Sequence, residues 1–479
     1  MEKEHILLIT TDQQRFDTIQ ALGNSHIYTP HLNWLVDQGI TFTRCYADSP
    51  VCMPSRATIM TGKTGYSLGL VGNSDSKTPL SEHQTLPGML TRMGYQTRAQ
   101  GKMHFHPTRA NYGFEHMELP MDYYREMNRN EKNGIPKAHG VGENEVEPVI
   151  STVHETQSLT YWTAKRSVDF IETRDETRSF FLWTSFAKPH PPFDPCLNYW
   201  QLYDNREVPD PIYGEWSKDL TRIPQGFMDS TYKLNNVYRM SKEQIKDMRR
   251  AYYACITQID YSLGIMFARL REMDLLDKTW IIFTADHGDM LGDHHMGAKS
   301  IFLEGSAHIP MIIKPPDTSE FKKYQGGRRE FLVTLSDLMP TMEAIALGIA
   351  NCEIEGYDGK NVLAMLDGQA KERTFYGQNE QHFCIMEEGY KYMWTGLGGD
   401  ELLFHMETDE KEQNDLSKNL KAKEVLARFR ENLLAFCSIH APKFVENGAL
   451  KPGPKINGPG DVEKWPGFHS TIVETDVLH

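Results

Sequence analysis

The 479-residue chain lacks any cysteine pattern that would staple it. Its seven cysteines, at 45, 52, 196, 255, 352, 384 and 437, are odd in number and include no C-x-x-C pair. That argues against a disulfide framework and against a structural zinc site, and it fits a reducing compartment. There is no run of 18 or more apolar residues, so no transmembrane helix and no membrane partner are expected. No secretory leader precedes the first apolar stretch, because Met1-Glu2-Lys3-Glu4-His5 leads straight into Ile6-Leu7-Leu8-Ile9. The expectation is a cytoplasmic protein, or a periplasmic or secreted one whose leader has been removed. Positive charge is also short. Against 65 Asp and Glu stand 51 Lys and Arg, a net charge of −14, which disfavours a nucleic-acid partner and requires a local cationic pocket for any anionic ligand. Internal repeats and low-complexity tracts are absent as well.

What is present alternates. Apolar, β-rich runs at His5 to Thr11, Ser179 to Phe186, Thr279 to Ala285 and Ile309 to Lys314 read as strands, as do the more polar Phe42 to Tyr46 and Tyr95 to Gln100. Helical patterns lie between and around them at Pro30 to Gln38, Thr85 to Arg92, Ser158 to Arg174, Ser241 to Asp274 and Leu335 to Leu347. This is the signature of an α/β fold, a large, mainly parallel sheet sandwiched by helices. Residues 105–155 and 195–240 have little period and read as loop-rich segments around a site. After about residue 370 the texture changes to short strands followed by a helix near Val425 to Phe436. The expected division is an α/β domain over 1–370 and a C-terminal subdomain over 371–479, with a small antiparallel sheet, a helix and an extended tail.

One stretch stands out: Ser49-Pro50-Val51-Cys52-Met53-Pro54-Ser55-Arg56-Ala57-Thr58, continuing to Thr61-Gly62-Lys63. Pro54 has a fixed φ and no N–H, so it suits the first turn of a helix, and Gly62 suits its end. Cys52 then sits at a helix N-terminus, where exposed N–H groups favour negative charge, with Arg56 rising from the first turn. A lone cysteine is most often a buried structural one. Two other places gather chemistry. Asp12 ends the first strand, and Thr284-Ala285-Asp286-His287-Gly288-Asp289 ends a later one. Carboxylates with one neighbouring histidine suit a hard divalent cation, Ca²⁺, Mg²⁺ or Mn²⁺, whereas zinc gathers more His or Cys. Lys102 and His104, His190 between prolines, and Lys299 each lie at or beyond a strand end or a glycine turn.

The Cys52 stretch resembles the signature of type I sulfatases, in the alkaline phosphatase-like superfamily. The resemblance runs in order from Asp12 to about Asp415. It implies that Cys52 is oxidised to formylglycine by a maturation enzyme, and that the hydrate of that aldehyde attacks a sulfate monoester. It assigns Asp12, Asp286, His287 and the modified Cys52 to one divalent metal, with Ca²⁺ expected and Mg²⁺ or Mn²⁺ open. It makes Arg56, Lys102 and Lys299 the clamp on the sulfate oxygens. His190 and Lys299 assist the leaving oxygen, His104 deprotonates the second hydroxyl of the hydrate, and Asn73 contacts substrate. One departure from the family pattern is visible. A second Asp after the first strand is replaced by Gln13 in Asp12-Gln13-Gln14-Arg15, which could offer a neutral oxygen. Asp289, Asp293 and His294 are expected behind the ligands or on the surface. Among relatives the pattern looks most like bacterial carbohydrate sulfatases, choline sulfatases and phosphonate monoester hydrolases. The substrate it implies is a small sulfated one, a glycosaminoglycan-derived mono- or disaccharide. Choline sulfate, a phosphonate or phosphodiester, and a sulfated-glycan binder without turnover are the alternatives, and a homo-oligomer is left open.

Overall fold

The computed structural model describes residues 3–73, 80, 84–129, 134–366 and 373–459. Strand β1 (His5–Asp12) is buried along nearly its whole length, because its apolar run faces helices on both sides. Leu7 and Ile9 enter one core with Ile259, Leu263 and Met266 of the long helix Lys242–Glu272. Ile6 and Leu8 enter the other, with Met53, Ala57 and Met60 of the helix Cys52–Thr61. Burying a residue of this size contributes about 1.5–3 kcal/mol, so this period-two alternation between two cores fixes the strand's register.

Around β1 lie β2 (Ile40–Tyr46), β3 (Gln96–Gly101), β4 (His116–Glu118), β5 (Phe180–Pro189), β6 (Thr279–Ala285), β7 (His308–Lys314), β8 (Arg328–Arg329) and β9 (Val333–Thr334). The sheet order is β4-β3-β5-β1-β6-β7-β2-β8, with β9 also on β2. Strands β4, β3, β5, β1 and β6 are parallel. The exception is β7, antiparallel to both β6 and β2. Two reversals leave β2 pointing the same way as β6. The carboxyl ends of β1, β2, β3, β5 and β6 therefore share one edge, where open α/β sheets build their sites. The segment 105–155, expected as loop, contains a helix at Pro120–Asn128, started by Pro120 and by Asp122 accepting from the Leu119 N–H.

A second sheet is antiparallel, β10 (Phe375–Asn379), β11 (His382–Glu387), β12 (Tyr390–Thr395) and β13 (Glu401–His405), in that order. Its Phe383, Ile385, Tyr392 and Leu403 pack on Leu426, Phe429 and Leu433 of the helix Lys423–His440. Its other face joins Phe302 and Phe227 of the larger unit. The expected boundary at 370 and the end of the tail, 460–479, lie outside the described residues. The tail before that point forms a short ribbon and bridges Leu397 through Gly453. No described helix is long and apolar enough to cross a membrane.

Candidate active site

The helix Cys52–Thr61 follows β2 and begins at Cys52, with Gly62 closing it at φ +65. Its first free N–H groups need acceptors. The Met53 N–H finds one in Asn73 Oδ1 at 3.1 Å, so Asn73 holds the start of this helix and also lines the cavity beside it. Cys52 is buried, with Sγ 3.2 Å from His287 Nε2, 3.4 Å from Lys299 Nζ and 3.8 Å from Asp12 Oδ1. Burial and the Asp12 carboxylate push the thiol up, but Lys299, Lys102 and His287 outweigh them and bring it to about 6. Negative charge is therefore welcome at this position.

The sheet edge supplies the partners. Strand β1 ends in Asp12, whose Oδ2 accepts from Lys102 Nζ at 2.9 Å and from Arg56 Nη2 at 3.2 Å. Burial opposes its ionisation, yet Lys102, His190, Arg56 and Lys299 hold it well below the usual carboxylate range. Strand β6 delivers Asp286 and His287. Asp286 accepts from Arg56 Nε at 2.9 Å and from the backbone N–H groups of Gln13 and His287. Burial and the nearby Asp12 push Asp286 up. Two buried carboxylates facing one another this closely favour a cation between them. Donor atoms of Asp12, Cys52, Asp286 and His287 all lie within 4.8 Å of one another. Among the described residues this is the one such group, and the donor set fits the implied divalent metal.

Strand β3 ends at Gly101 with φ +96, where a Cβ would come within 2.0 Å of the Ser185 carbonyl oxygen. Only glycine allows that approach, and it turns Lys102 and His104 into the site. The loop after β5 carries His190, whose Nδ1 donates to the Pro191 carbonyl at 2.8 Å. Burial, Lys299 and Lys102 keep its pKa far below the ordinary histidine range. Lys299 sits between Ala298 (φ +62) and Ser300 (φ +82), and the Ser300 N–H bonds the Pro50 carbonyl at 3.0 Å. With Gln13 (φ +72) and His104 (φ +58), four non-glycine residues in the left-handed region cluster here. Such strain collects at functional sites.

All ten residues expected at the site meet at this edge, but not in equal positions. Cys52, Asn73, His104, His190 and Lys299 line a cavity of about 210 Å³. Arg56 and Lys102 lie beneath it, fully buried. Arg56 is spent on Asp12, Asp286, Ser185 Oγ and the Lys102 carbonyl, so it is aimed at the carboxylates rather than into the cavity. Gln13 takes part as well. Its Oε1 accepts from Lys299 Nζ at 2.7 Å and its Nε2 donates to Asp289, so the side chain positions the lysine. Asp289, Asp293 and His294 are all buried, which removes the surface alternative. Asp293 pairs with Arg15 and Arg249 at 2.7 and 2.6 Å, and His294 Nδ1 bonds Ser217 Oγ at 2.7 Å. The far wall of the cavity is built from the helix Asp229–Leu234, inside the 195–240 segment expected around the site, and from the β10–β11 turn, which sequence reasoning missed. The turn carries no local signal.

Burial pushes His294 down to about 4, although Asp293 and Asp409 oppose it. Its folded pKa lies below the unfolded value of 6.5, so its contribution is complete above pH 6.5 and is lost as pH falls towards 4. The slope is about 1.4 kcal/mol per pH unit over that window. Denaturant midpoints measured between pH 7 and 4 should fall, and His294→Gln should flatten the fall by about one proton.

A family model described as Sulfatase matches residues 4–349. The chain is 30% identical over 460 residues to an arylsulfatase of Clostridium perfringens, covering 90% of this chain and 94% of that protein. It is similar in structure to a phosphonate monoester hydrolase of Agrobacterium radiobacter, with a TM-score of 0.74, 20% identity and coverage of 91% and 96%. It is likewise similar to a chain solved with D-glucosamine-2-N,6-O-disulfate, with a TM-score of 0.71, 20% identity and coverage of 93% and 100%. At these identities the two structures speak to the fold alone.

Proposed function

The chain belongs to the sulfatase family and is a sulfuric ester hydrolase, and from that premise we propose that it desulfates a carbohydrate, a glycosaminoglycan-derived mono- or disaccharide, through a formylglycine made from Cys52 and one divalent metal. The observation that carries this is the convergence of Asp12, Asp286 and His287 on Cys52, which with Lys299 lines a cavity of about 210 Å³. Asp12, Asp286 and His287 would hold the metal, Ca²⁺ by this proposal, and Cys52 Sγ stands where the oxygens of the matured side chain would be. When bound, the ion supplies positive charge against the ester oxygens, and the matured Cys52 supplies the attacking oxygen.

The chain's own groups do the rest. Lys102 and Arg56 keep Asp12 ionised from below, and Lys299 presents its ammonium to the cavity. The sulfate oxygens meet Lys299 directly and feel Lys102 and Arg56 through the carboxylates these two hold. His190 donates from Nδ1 to a carbonyl, so its Nε2 is an acceptor while the ring is neutral. Lys299 is then the group that offers a proton to the leaving oxygen, with His190 Nε2 orienting it. His104, at the cavity wall, takes the proton that allows sulfate to depart. A structural neighbour was solved with a sulfated monosaccharide, which supports a sugar as the substrate. Here it agrees with a polar rather than aromatic cavity wall.

The test is a substrate panel on protein whose Cys52 aldehyde is verified by peptide mass. It includes sulfated mono- and disaccharides, 4-nitrophenyl sulfate, choline O-sulfate, an aryl phosphonate and a phosphodiester. The highest kcat/KM should fall on a sulfated sugar. A higher value on choline sulfate or on the phosphonate overturns the carbohydrate assignment. Chelation should cost about 100-fold or more in sulfate release, restored by adding back Ca²⁺, Mg²⁺ or Mn²⁺. Activity indifferent to chelation and to added ions would remove the metal from the reading.

A further inference from the structure

The cavity that holds Cys52 is also lined by Ser230, Asn379 and His382. They are 8%, 1% and 4% exposed. Each carries a buried polar atom without a hydrogen-bond partner, Ser230 Oγ, Asn379 Nδ2 and His382 Nδ1. Buried polar atoms are nearly always paired, and leaving one unpaired costs more than an ordinary hydrogen bond returns. Three in one cavity, contributed by two distant parts of the chain, call for a ligand that pairs them.

Their placement is well determined by the fold. Asn379 and His382 are the last opposed pair of β10 and β11, so both side chains stand on one face of the hairpin. The turn between them puts Glu380 at φ +48, and the Glu380 N–H is anchored on the Val71 carbonyl at 2.6 Å. Two residues further on, Asn73 caps the helix of Cys52. The hairpin is thereby tied to the start of the reactive helix. The His382 ring stacks on Phe227 with centroids 6.0 Å apart. Burial brings His382 down to about 4, so the ring is neutral and has one donor and one acceptor. Ser230 lies in the first turn of the helix Asp229–Leu234, and its charged neighbours Asp229 and Lys233 are paired with each other at 2.7 Å. The three unpaired atoms are therefore a hydroxyl, an amide donor and a neutral ring nitrogen, without net charge.

We propose that Ser230, Asn379 and His382 form the subsite that recognises hydroxyl groups of the leaving sugar. This deepens the carbohydrate reading above and rests on it. Sugar hydroxyls both donate and accept, so neighbouring hydroxyls on one ring can satisfy all three atoms. A trimethylammonium group or a bare aryl ring leaves all three unpaired. The subsite thus separates sugar sulfates from choline and aryl sulfates by polar pairing rather than by charge.

The experiment compares kcat/KM on the best sulfated sugar with kcat/KM on 4-nitrophenyl sulfate, for wild type and for Ser230→Ala, Asn379→Leu and His382→Phe. The sugar-to-aryl ratio should fall about tenfold or more in the Asn379 and His382 variants, mainly through KM for the sugar. Thermal midpoints should hold or rise, since each change replaces an unpaired buried polar atom with an apolar group. Ser230→Ala, the smallest change, keeps the comparison open if a larger one prevents folding. Equal losses on both substrates, or a ratio unchanged in every folded variant, overturn the subsite alone. A wild type that hydrolyses 4-nitrophenyl sulfate but no sulfated sugar overturns the carbohydrate reading and this subsite with it.

Discussion

Replacing Cys52 with alanine is expected to abolish sulfate release, a loss of about four orders of magnitude, without unfolding the protein. The sulfur is nearly inaccessible and is surrounded by His287, Lys299 and Asp12. Its removal takes away one atom's packing, about 1 kcal/mol, and leaves Asp12 and Asp286 still held by Arg56. Thermal denaturation of the variant should therefore stay close to wild type while sulfate release disappears. Wild-type protein made with and without the maturation enzyme supplies the control. Mass spectrometry of the peptide containing Cys52 should show the aldehyde in the active preparation and the thiol in the inactive one. If Cys52→Ala retained a substantial fraction of the activity, the attacking group would have to be a water activated by Lys299 and the carboxylates. The assignment of Cys52 as nucleophile would then fall.

The parts of this site legible in the sequence share a physical cause. Asp12, His190 and Asp286 each follow an apolar run long enough to be a buried strand, Lys102 follows the shorter, more polar Tyr95 to Gln100, and parallel strands bring their carboxyl ends to one edge. Pro54 in the first turn and Gly62 past the last mark the helix of Cys52, because one lacks an N–H and the other tolerates φ +65. Strand direction was not legible in the same way. His308–Lys314 reads as a buried strand, but nothing in an apolar run says that it is antiparallel to its neighbours. Strands as short as Arg328–Arg329 and Val333–Thr334 have no period to read. Gln13 reads from sequence only as a possible neutral oxygen, and its contacts are not legible there. Its left-handed backbone turns the amide between Lys299 and Asp289. Asn379 and His382 reach the cavity only because the second sheet docks on the first, a tertiary event more than 300 residues beyond Asp12, and Ser230 comes from the helix Asp229–Leu234 in the 195–240 segment.

Arg56→Met should cost the metal-free protein about 3–5 kcal/mol, and the way that loss responds to pH and to metal separates two roles for the arginine. In wild type Arg56 is the cation shared by Asp12 and Asp286, and its long axis is buried beneath them. Methionine fills the volume but takes the shared guanidinium from both carboxylates, leaving Asp286 beside His287 and Asp12 paired with Lys102. Both carboxyls then shift up relative to wild type, and burial already pushes Asp286 that way. A carboxyl whose folded pKa exceeds its unfolded value stabilises the fold below the unfolded pKa, and this contribution is lost as pH rises through the folded pKa. The deficit of Arg56→Met should thus be largest near pH 7 and shrink towards pH 4. A divalent ion should narrow it as well, since metal at 100 times its Kd stabilises by about 2.7 kcal/mol and supplies the missing charge between the same carboxylates. Urea midpoints at pH 7 and pH 4.5, with and without metal, give the four values needed. An arginine that served mainly to clamp the sulfate would behave otherwise. Metal-free stability would change little at either pH, and the whole effect would appear as a raised KM for the sulfate ester. The geometry favours the first outcome, because four of the groups Arg56 contacts are already its partners before any substrate arrives.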